Sequence, residues 1–352
     1  MDNPKKLPEL PSELLELIVK HLDVVAFCSF GVVCKTWYEI YDWSKEDFLE
    51  SQAPMAILMS SSVKHMCYLF DMANGNTKKF KFLNLFKKFF IGCSAGYMII
   101  EDMNHQISIV NPLTGHELNC HTPSFTLKGE SLYDRIILVS TSSSESDVIL
   151  VICNSKHEIQ VFHSRKKQWF TSLYFGAPWV DIAIFKEQVY VVTNNAQIGK
   201  LRMKESNSTN KVFSWMTVKN TPNVNSQDLK LVVSNNQLLM VDFVPDQHLN
   251  IHKIDFDSVK WVKVDKLNDQ ALFLGKRWDS SIRKSSKWGG QSNCVYYLET
   301  QSTMCCVYSM EAKLIHKFLL MENSTCSRQQ SLGWYYPHQC MMVDYHMDSE
   351  RT

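Results

Sequence analysis

The chain has 352 residues, 45% of them apolar and 21% charged, with 37 basic against 36 acidic side chains and a formal net charge of +1. That length suggests about two domains, and the apolar fraction excludes intrinsic disorder. The near-neutral balance argues against whole-protein electrostatic capture of nucleic acid or an anionic membrane.

The first fifty residues carry helical periodicity. Pro11 suits the first position of a helix and Glu13 complements its dipole. Leu14, Ile18 and Leu22 then recur at i, i+4 and i+8, with Leu15 and Leu17 beside them. Asp23 interrupts the run. A second apolar segment carries Val25, Phe27, Phe30, Val33, Cys34 and Trp37 before Asp42-Trp43-Ser44. Fifty residues bury little surface alone, so this apolar area is expected either to dock onto a partner or to cap the rest of the chain.

After Pro54 the texture becomes β-rich, with Val, Ile, Tyr and Phe runs between turn clusters. Six segments read as hairpins: 55–70, 96–110, 147–162, 188–201, 237–254 and 294–310. Trp169, Trp215 and Trp261 follow three of them at a regular spacing. A period of about 40–50 residues, four short strands and a positioned aromatic predict propeller blades, about six or seven of them; a β-sandwich is the alternative.

Candidate chemistry is sparse. None of the 12 glycines falls in G-x-G-x-x-G or in a Walker loop, and H-E-x-x-H and G-x-S-x-G are absent. The 11 cysteines form no C-x-x-C, which predicts free thiols in a reducing compartment, the nucleus and/or the cytoplasm. MDNPKKLPEL has no signal-peptide core, and uncharged stretches such as 168–180 are too short to span a bilayer. His248 and His252 have metal spacing only on a helix, and they lie in an expected hairpin. Asp255 and Asp257 read as the start of a turn. The lysine- and phenylalanine-rich stretch 77–90 reads as strands with one wet face rather than as a nucleic-acid platform. The segment 276–290 is either a solvated insertion or a recognition loop; in the second case Arg277, Trp278, Arg283 and Trp288 are the substrate contacts.

The residues carry a resemblance. Leu10-Pro11-Ser12-Glu13-Leu14-Leu15 through Ile18, with Val33-Cys34-Lys35-Thr36-Trp37 behind it, resembles an F-box; His21 stands where many members carry a basic residue, and Gly31 lies within the expected last helix. Asn111-Pro112-Leu113-Thr114-Gly115, the block 251–275 and Asn293-Cys294-Val295-Tyr296-Tyr297 resemble plant F-box proteins of the KIB type with a kelch-like C-terminal domain. The resemblance implies an α+β multidomain chain: a helical F-box over 4–50, an all-β propeller over 55–340 and a tail over 341–352. It further implies a non-catalytic substrate receptor of an SCF-type ubiquitin ligase, needing no cofactor or metal. Its partners would be a Skp-type adaptor, a cullin reached through the adaptor, and a protein substrate, with no nucleic acid or membrane. An F-box propeller scaffold outside a ligase is the alternative. The adaptor contact is expected at Leu10, Pro11, Leu14, Leu15, Ile18, Leu22, Val33, Cys34 and Trp37, some of which must hold the small domain together. Residues 1–54 hold 5 basic and 10 acidic side chains, against 32 and 26 in the remainder. An acidic docking module and a mildly basic propeller follow, with an acidic substrate surface expected.

Overall fold

The computed structural model describes residues 10–337 except 61–65, 82–87, 105, 120–134, 141–147, 154–157, 164–167, 174–178, 187, 202–212, 225, 235–236, 245–247, 276–279, 300–301 and 321–328. Three helices come first: α1 (Ser12–Val19), α2 (Val24–Phe30) and α3 (Lys35–Ser51). Pro11 is the N-cap of α1 rather than its first residue. Asp23 does more than interrupt the apolar run: its Oδ1 accepts the N–H groups of Val25 and Ala26 at 2.9 Å each, capping α2, a contribution of about 1 kcal/mol. Gly31 is the C-cap of α2 and not an interior residue.

A β-propeller follows. The chain lays down β1 (Met55–Ser60), β2 (Met66–Asp71) and β3 (Thr77–Lys81), then a second sheet of β4 (Lys88–Ser94), β5 (Tyr97–Asp102), β6 (Ile107–Val110) and β7 (Glu117–Asn119). The third sheet holds β8 (Arg135–Ser140), β9 (Val148–Cys153), β10 (Glu158–His163) and β11 (Gln168–Leu173). The fourth holds β12 (Trp179–Phe185), β13 (Gln188–Thr193), β14 (Ile198–Leu201) and β15 (Phe213–Trp215). The fifth holds β16 (Leu229–Ser234), β17 (Gln237–Val244), β18 (His248–Asp255) and β19 (Lys260–Lys263). The sixth is β20 (Gln270–Leu274), β21 (Ser281–Lys284), a short helix α4 (Ser285–Trp288), β22 (Cys294–Leu298), β23 (Met304–Ser309) and β24 (Ile315–Leu319). The last strand, β25 (Gln329–Tyr335), returns to pair with β1 and completes the first sheet as β25-β1-β2-β3.

Each of the six expected hairpins is an antiparallel pair: β1–β2, β5–β6, β9–β10, β13–β14, β17–β18 and β22–β23. Trp169, Trp215 and Trp261 occupy the outermost strands of three consecutive sheets, β11, β15 and β19, so their regular spacing reports one blade per interval. The expectation of about six blades, possibly seven, is corrected: among the described residues there are five regular four-stranded blades and one sheet of a different build, with five strands in the order β21-β20-β22-β23-β24. In that sheet β22 runs parallel to β20, because β21 and α4 carry the chain back to its starting edge before β22 begins.

Neighbouring sheets meet in a closed cycle: β25 lies against β4, β4 against β8, β8 against β12, β12 against β16, β16 against β21, and β22 against β25. Polar groups stitch several of these seams. The Leu138 N–H donates to Ser94 Oγ at 3.0 Å, the Leu231 N–H to the fully buried Asp181 Oδ2 at 2.7 Å, Gln270 Nε2 to Ser234 Oγ at 3.1 Å, and Trp334 Nε1 to the Leu274 carbonyl at 3.0 Å. Each satisfies a group that would be costly to bury unpaired. The Asn111–Gly115 segment is a turn in which Asn111 Oδ1 accepts from Leu113 and Thr114 and Gly115 takes φ +73°, a conformation that suits glycine.

The helices share a core with the ring. Leu15, Val19, Phe27, Phe48 and Leu49 join Ile57, Leu69, Ile100 and Tyr335 in one apolar cluster. Gln270 pairs with Lys284 beside α4, and α4 touches α3, so the helices sit at that end of the sixth sheet. Phe273 and Ser281 pair toward the opposite end.

Candidate functional site

The two faces of α1 separate by helical geometry. Leu15 and Val19, four apart, are buried, and Leu15 is fully enclosed, so its expected adaptor contact is corrected to an internal role. Leu10, Leu14 and Leu17 fall on the other side and remain 42%, 46% and 51% exposed. With Ile18, His21 and Leu22 they line an open apolar groove. Such spacing places three anchors on one stripe, the form in which helices meet apolar partners. Leu17 had been visible in the sequence only as a neighbour of the stripe.

A second exposed apolar patch forms where α2 turns into α3. Val32 is 84% and Val33 57% exposed, and Cys34, the N-cap of α3, is exposed with them. Pro11 is also on the surface, whereas Ile18, Leu22 and Trp37 are partly buried against the core. The Trp37 ring stacks on Phe30 at 4.4 Å, and Phe27 stacks on Phe48 at 4.0 Å. Trp37 therefore belongs to the support of the surface as well as to its edge.

Gly31 allows that support. A Cβ built there would lie 2.7 Å from Tyr41 Cγ, the base of a ring packed beside Phe27 at 4.7 Å. Gly31 has a helical backbone at the C-cap of α2, so helix propensity alone would favour Gly31→Ala, by less than the roughly 1 kcal/mol of an interior position. Overpacking reverses the sign, and the expected result is a loss of about 1–3 kcal/mol, measured by urea denaturation; a raised midpoint would contradict the close approach of Tyr41.

The expected substrate contacts divide. Arg277 and Trp278 lie outside the described residues. Arg283 and Trp288 are corrected to internal residues. The Trp288 ring is buried against Phe273 at 5.6 Å and Tyr296 at 5.8 Å. Arg283, on β21, reaches α3: its guanidinium donates to the carbonyls of Glu50 and Gln52. Burial lowers the pKa of that guanidinium, and the nearby Glu50 carboxylate offsets part of the effect. On the next turn Lys287 Nζ stands 3.9 Å from Asp47 and 3.7 Å from Glu50. Composition suggested a basic surface loop, but β21 and α4 use its charges to hold the helical domain. Only the long-range partner on α3 reveals this role, and no local signal records it.

The remaining polar candidates have structural assignments. His248 and His252 lie four residues apart on β18, about 13 Å along an extended strand, too far to share one ion. His248 Nε2 instead pairs with Asp242 Oδ2 at 2.9 Å. Burial and then Lys263 hold the His252 pKa below its ordinary value. Asp255 accepts the N–H of Asp257 and the hydroxyl of Ser258 in a turn, and the Ser258 bond lowers its carboxyl pKa. Burial pushes the Cys67 thiol up to about 12 and raises Cys305 as well, which keeps both thiols protonated and unreactive. Within 77–90, residues 77–81 and 88–90 lie in strands β3 and β4.

Two family models match the chain: a KIB1-4 beta-propeller over residues 69–309 and an F-box domain over residues 7–47. No curated protein matches it. Among solved structures, TolB from Acinetobacter baumannii is similar at 9% identity over 81% of this chain and 66% of its own, with a TM-score of 0.45. PorZ from Porphyromonas gingivalis is similar at 10% identity over 78% of this chain and 38% of its own, with a TM-score of 0.39. The Cps50 (Swd1) β-propeller domain of Myceliophteria thermophila is similar at 10% identity over 73% and 78%, with a TM-score of 0.34. The chain thus spans just under two thirds of TolB and well under half of PorZ.

Proposed function

The chain belongs to the KIB1-4 β-propeller family and carries an F-box domain ahead of the propeller, and from that premise we propose that it is the substrate receptor of an SCF-type ubiquitin ligase. F-box domains generally bind Skp-type adaptors, and the observation that carries the reading is the exposed Leu10/Leu14/Leu17 stripe and its groove, with Val32 and Val33 as a second exposed apolar patch. Monomeric proteins rarely leave such contiguous apolar surface without a use. The adaptor covers that surface and connects the chain to a cullin and its ubiquitin-charged enzyme.

The chain contributes proximity and orientation rather than covalent chemistry. A protein substrate binds the propeller, and the sheet end remote from the helices suits that task because a substrate there leaves the adaptor side clear. The mildly basic charge of the residues after Pro54 favours an acidic substrate surface. Buried thiols that stay protonated, such as Cys67 and Cys305, accord with a reducing location, the nucleus and/or the cytoplasm.

The test is co-purification of the full chain with a Skp-type adaptor and cullin, followed by ubiquitin transfer in the reconstituted mixture. The expected result is a stoichiometric complex that ubiquitinates lysines on a bound protein or on the chain itself. Adaptor binding without cullin would favour a scaffold role outside a ligase. Absence of adaptor binding would sink both readings.

A further inference from the structure

At the end of α3 the carbonyls of Glu50 and Gln52 are met from outside the helical segment, by the Arg283 guanidinium. Helix α3 ends at Ser51; the Phe48 carbonyl accepts from the Ser51 hydroxyl and the Leu49 carbonyl from the Gln52 N–H, but the residue four on from Glu50 is Pro54, which has no N–H to give. The negative end of the helix dipole lies there too. The donor comes from Arg283, 233 residues away from Glu50 in sequence and buried to within 9% of full enclosure. Burying a guanidinium is costly unless it is well used, and here it is spent on one end of one helix. Lys287 adds a second cation against Asp47 and Glu50.

The platform bearing Arg283 is itself anchored. The Ser286 hydroxyl donates to Asp269 Oδ2 at 2.6 Å, the Ser285 N–H to the Asp269 carbonyl at 2.8 Å, and Trp288 is buried in the seam with Phe273 and Trp334. The other side of the joint is Tyr335, fully buried on the closing strand β25 and in the same cluster as Leu15 and Phe27. The sixth sheet and the closing strand thus reach the helical domain from the last part of the chain to be made.

We propose that Arg283 is a positioning residue for the adaptor-docking surface, fixing the end of α3 so that the surface is competent only when the propeller ring is closed. The consequence for adaptor binding rests on the function proposed above; the consequence for α3 does not. A chain with an unfinished or opened ring would present a loosened F-box, and the ligase would be spared a receptor that cannot hold its substrate.

The experiment is amide hydrogen exchange on the full chain, read at residues 45–52 and at β12–β13 across the ring, together with adaptor dissociation rates. Arg283→Met is expected to speed exchange at 45–52 by about tenfold or more, to leave β12–β13 unchanged and to speed adaptor release. Arg283→Lys is expected to recover part of both effects. Lys287→Glu, at an exposed ion pair that tolerates change, should raise exchange at 45–52 modestly, and adding Asp47→Lys, which leaves the Glu50 carboxylate beside Arg283, should reverse part of it. Unchanged exchange at 45–52 in Arg283→Met overturns the proposal, as does an equal rise at β12–β13, which would mark a general loss of stability. A wild-type chain that binds no adaptor would sink the ligase reading, while exchange at 45–52 would still decide the role of Arg283.

Discussion

Leu14→Asp is expected to weaken binding of a Skp-type adaptor by at least about 100-fold while leaving the folded chain intact. Leu14 is exposed, in the middle of the stripe formed with Leu10 and Leu17. A central apolar anchor at an interface contributes about 2 kcal/mol or more, and a carboxylate buried in its place adds a desolvation penalty. In the free protein the same substitution meets only water, so stability should move by no more than about 0.5 kcal/mol. Leu15→Asp, one residue on, reverses the pattern. Its side chain is fully enclosed between α1, α3 and the ring, and a charge there should unfold the helical domain. Titration calorimetry with the purified adaptor and differential scanning calorimetry separate the two. Equal effects of both substitutions on stability would remove the distinction between docking face and core. Trp37→Ala is less informative than either, because the stack on Phe30 would be lost along with any adaptor contact.

Trp334→Ala should be the most damaging substitution in the propeller, with an expected loss of about 4 kcal/mol or more in unfolding free energy. Trp334 is fully buried on β25, stands edge-on to Phe273 at 5.1 Å, and donates Nε1 to the Leu274 carbonyl at 3.0 Å. Truncating a core tryptophan removes about 3–5 kcal/mol through lost burial and the cavity left behind. Orphaning the Leu274 carbonyl adds about 1 kcal/mol or more. Domains are stable by only about 5–15 kcal/mol, so the variant should sit near the edge of folding. Trp334→Phe keeps most of the ring and loses the hydrogen bond, and its loss should be about 1–3 kcal/mol. Equilibrium denaturation in urea, followed by far-ultraviolet circular dichroism, measures both. A Trp334→Ala chain as stable as the wild type would mean that β25 does not hold the ring together.

Local patterns carried much of the architecture. The six hairpins lie where the β-rich runs and turn clusters placed them, since strand propensity and turn chemistry are properties of neighbouring residues. The tryptophan spacing marked three successive outer strands because each blade repeats one unit. The sixth sheet escaped the same reading: its β21 and α4 are only four residues each, too short for either period to register, and their arginine, lysines and tryptophans mimic a recognition loop. On α1 the sequence offered one wide leucine stripe. Which leucines face a partner and which face the ring depends on where the ring stands.

The order and kind of the elements, the acidic helical segment ahead of a repeating β domain, and the residues able to meet an adaptor were determined by the sequence itself, because propensity, periodicity and charge act over a few residues. Only the tertiary structure decided that Leu15 is core while Leu14 is surface. It also decided that Arg283 and Trp288 bind their own chain, and that the last strand pairs with the first. Those outcomes depend on groups tens to hundreds of residues apart. Their pairing is settled by which burial satisfies every polar group while enclosing the most apolar surface, a condition on the whole molecule that no local pattern records.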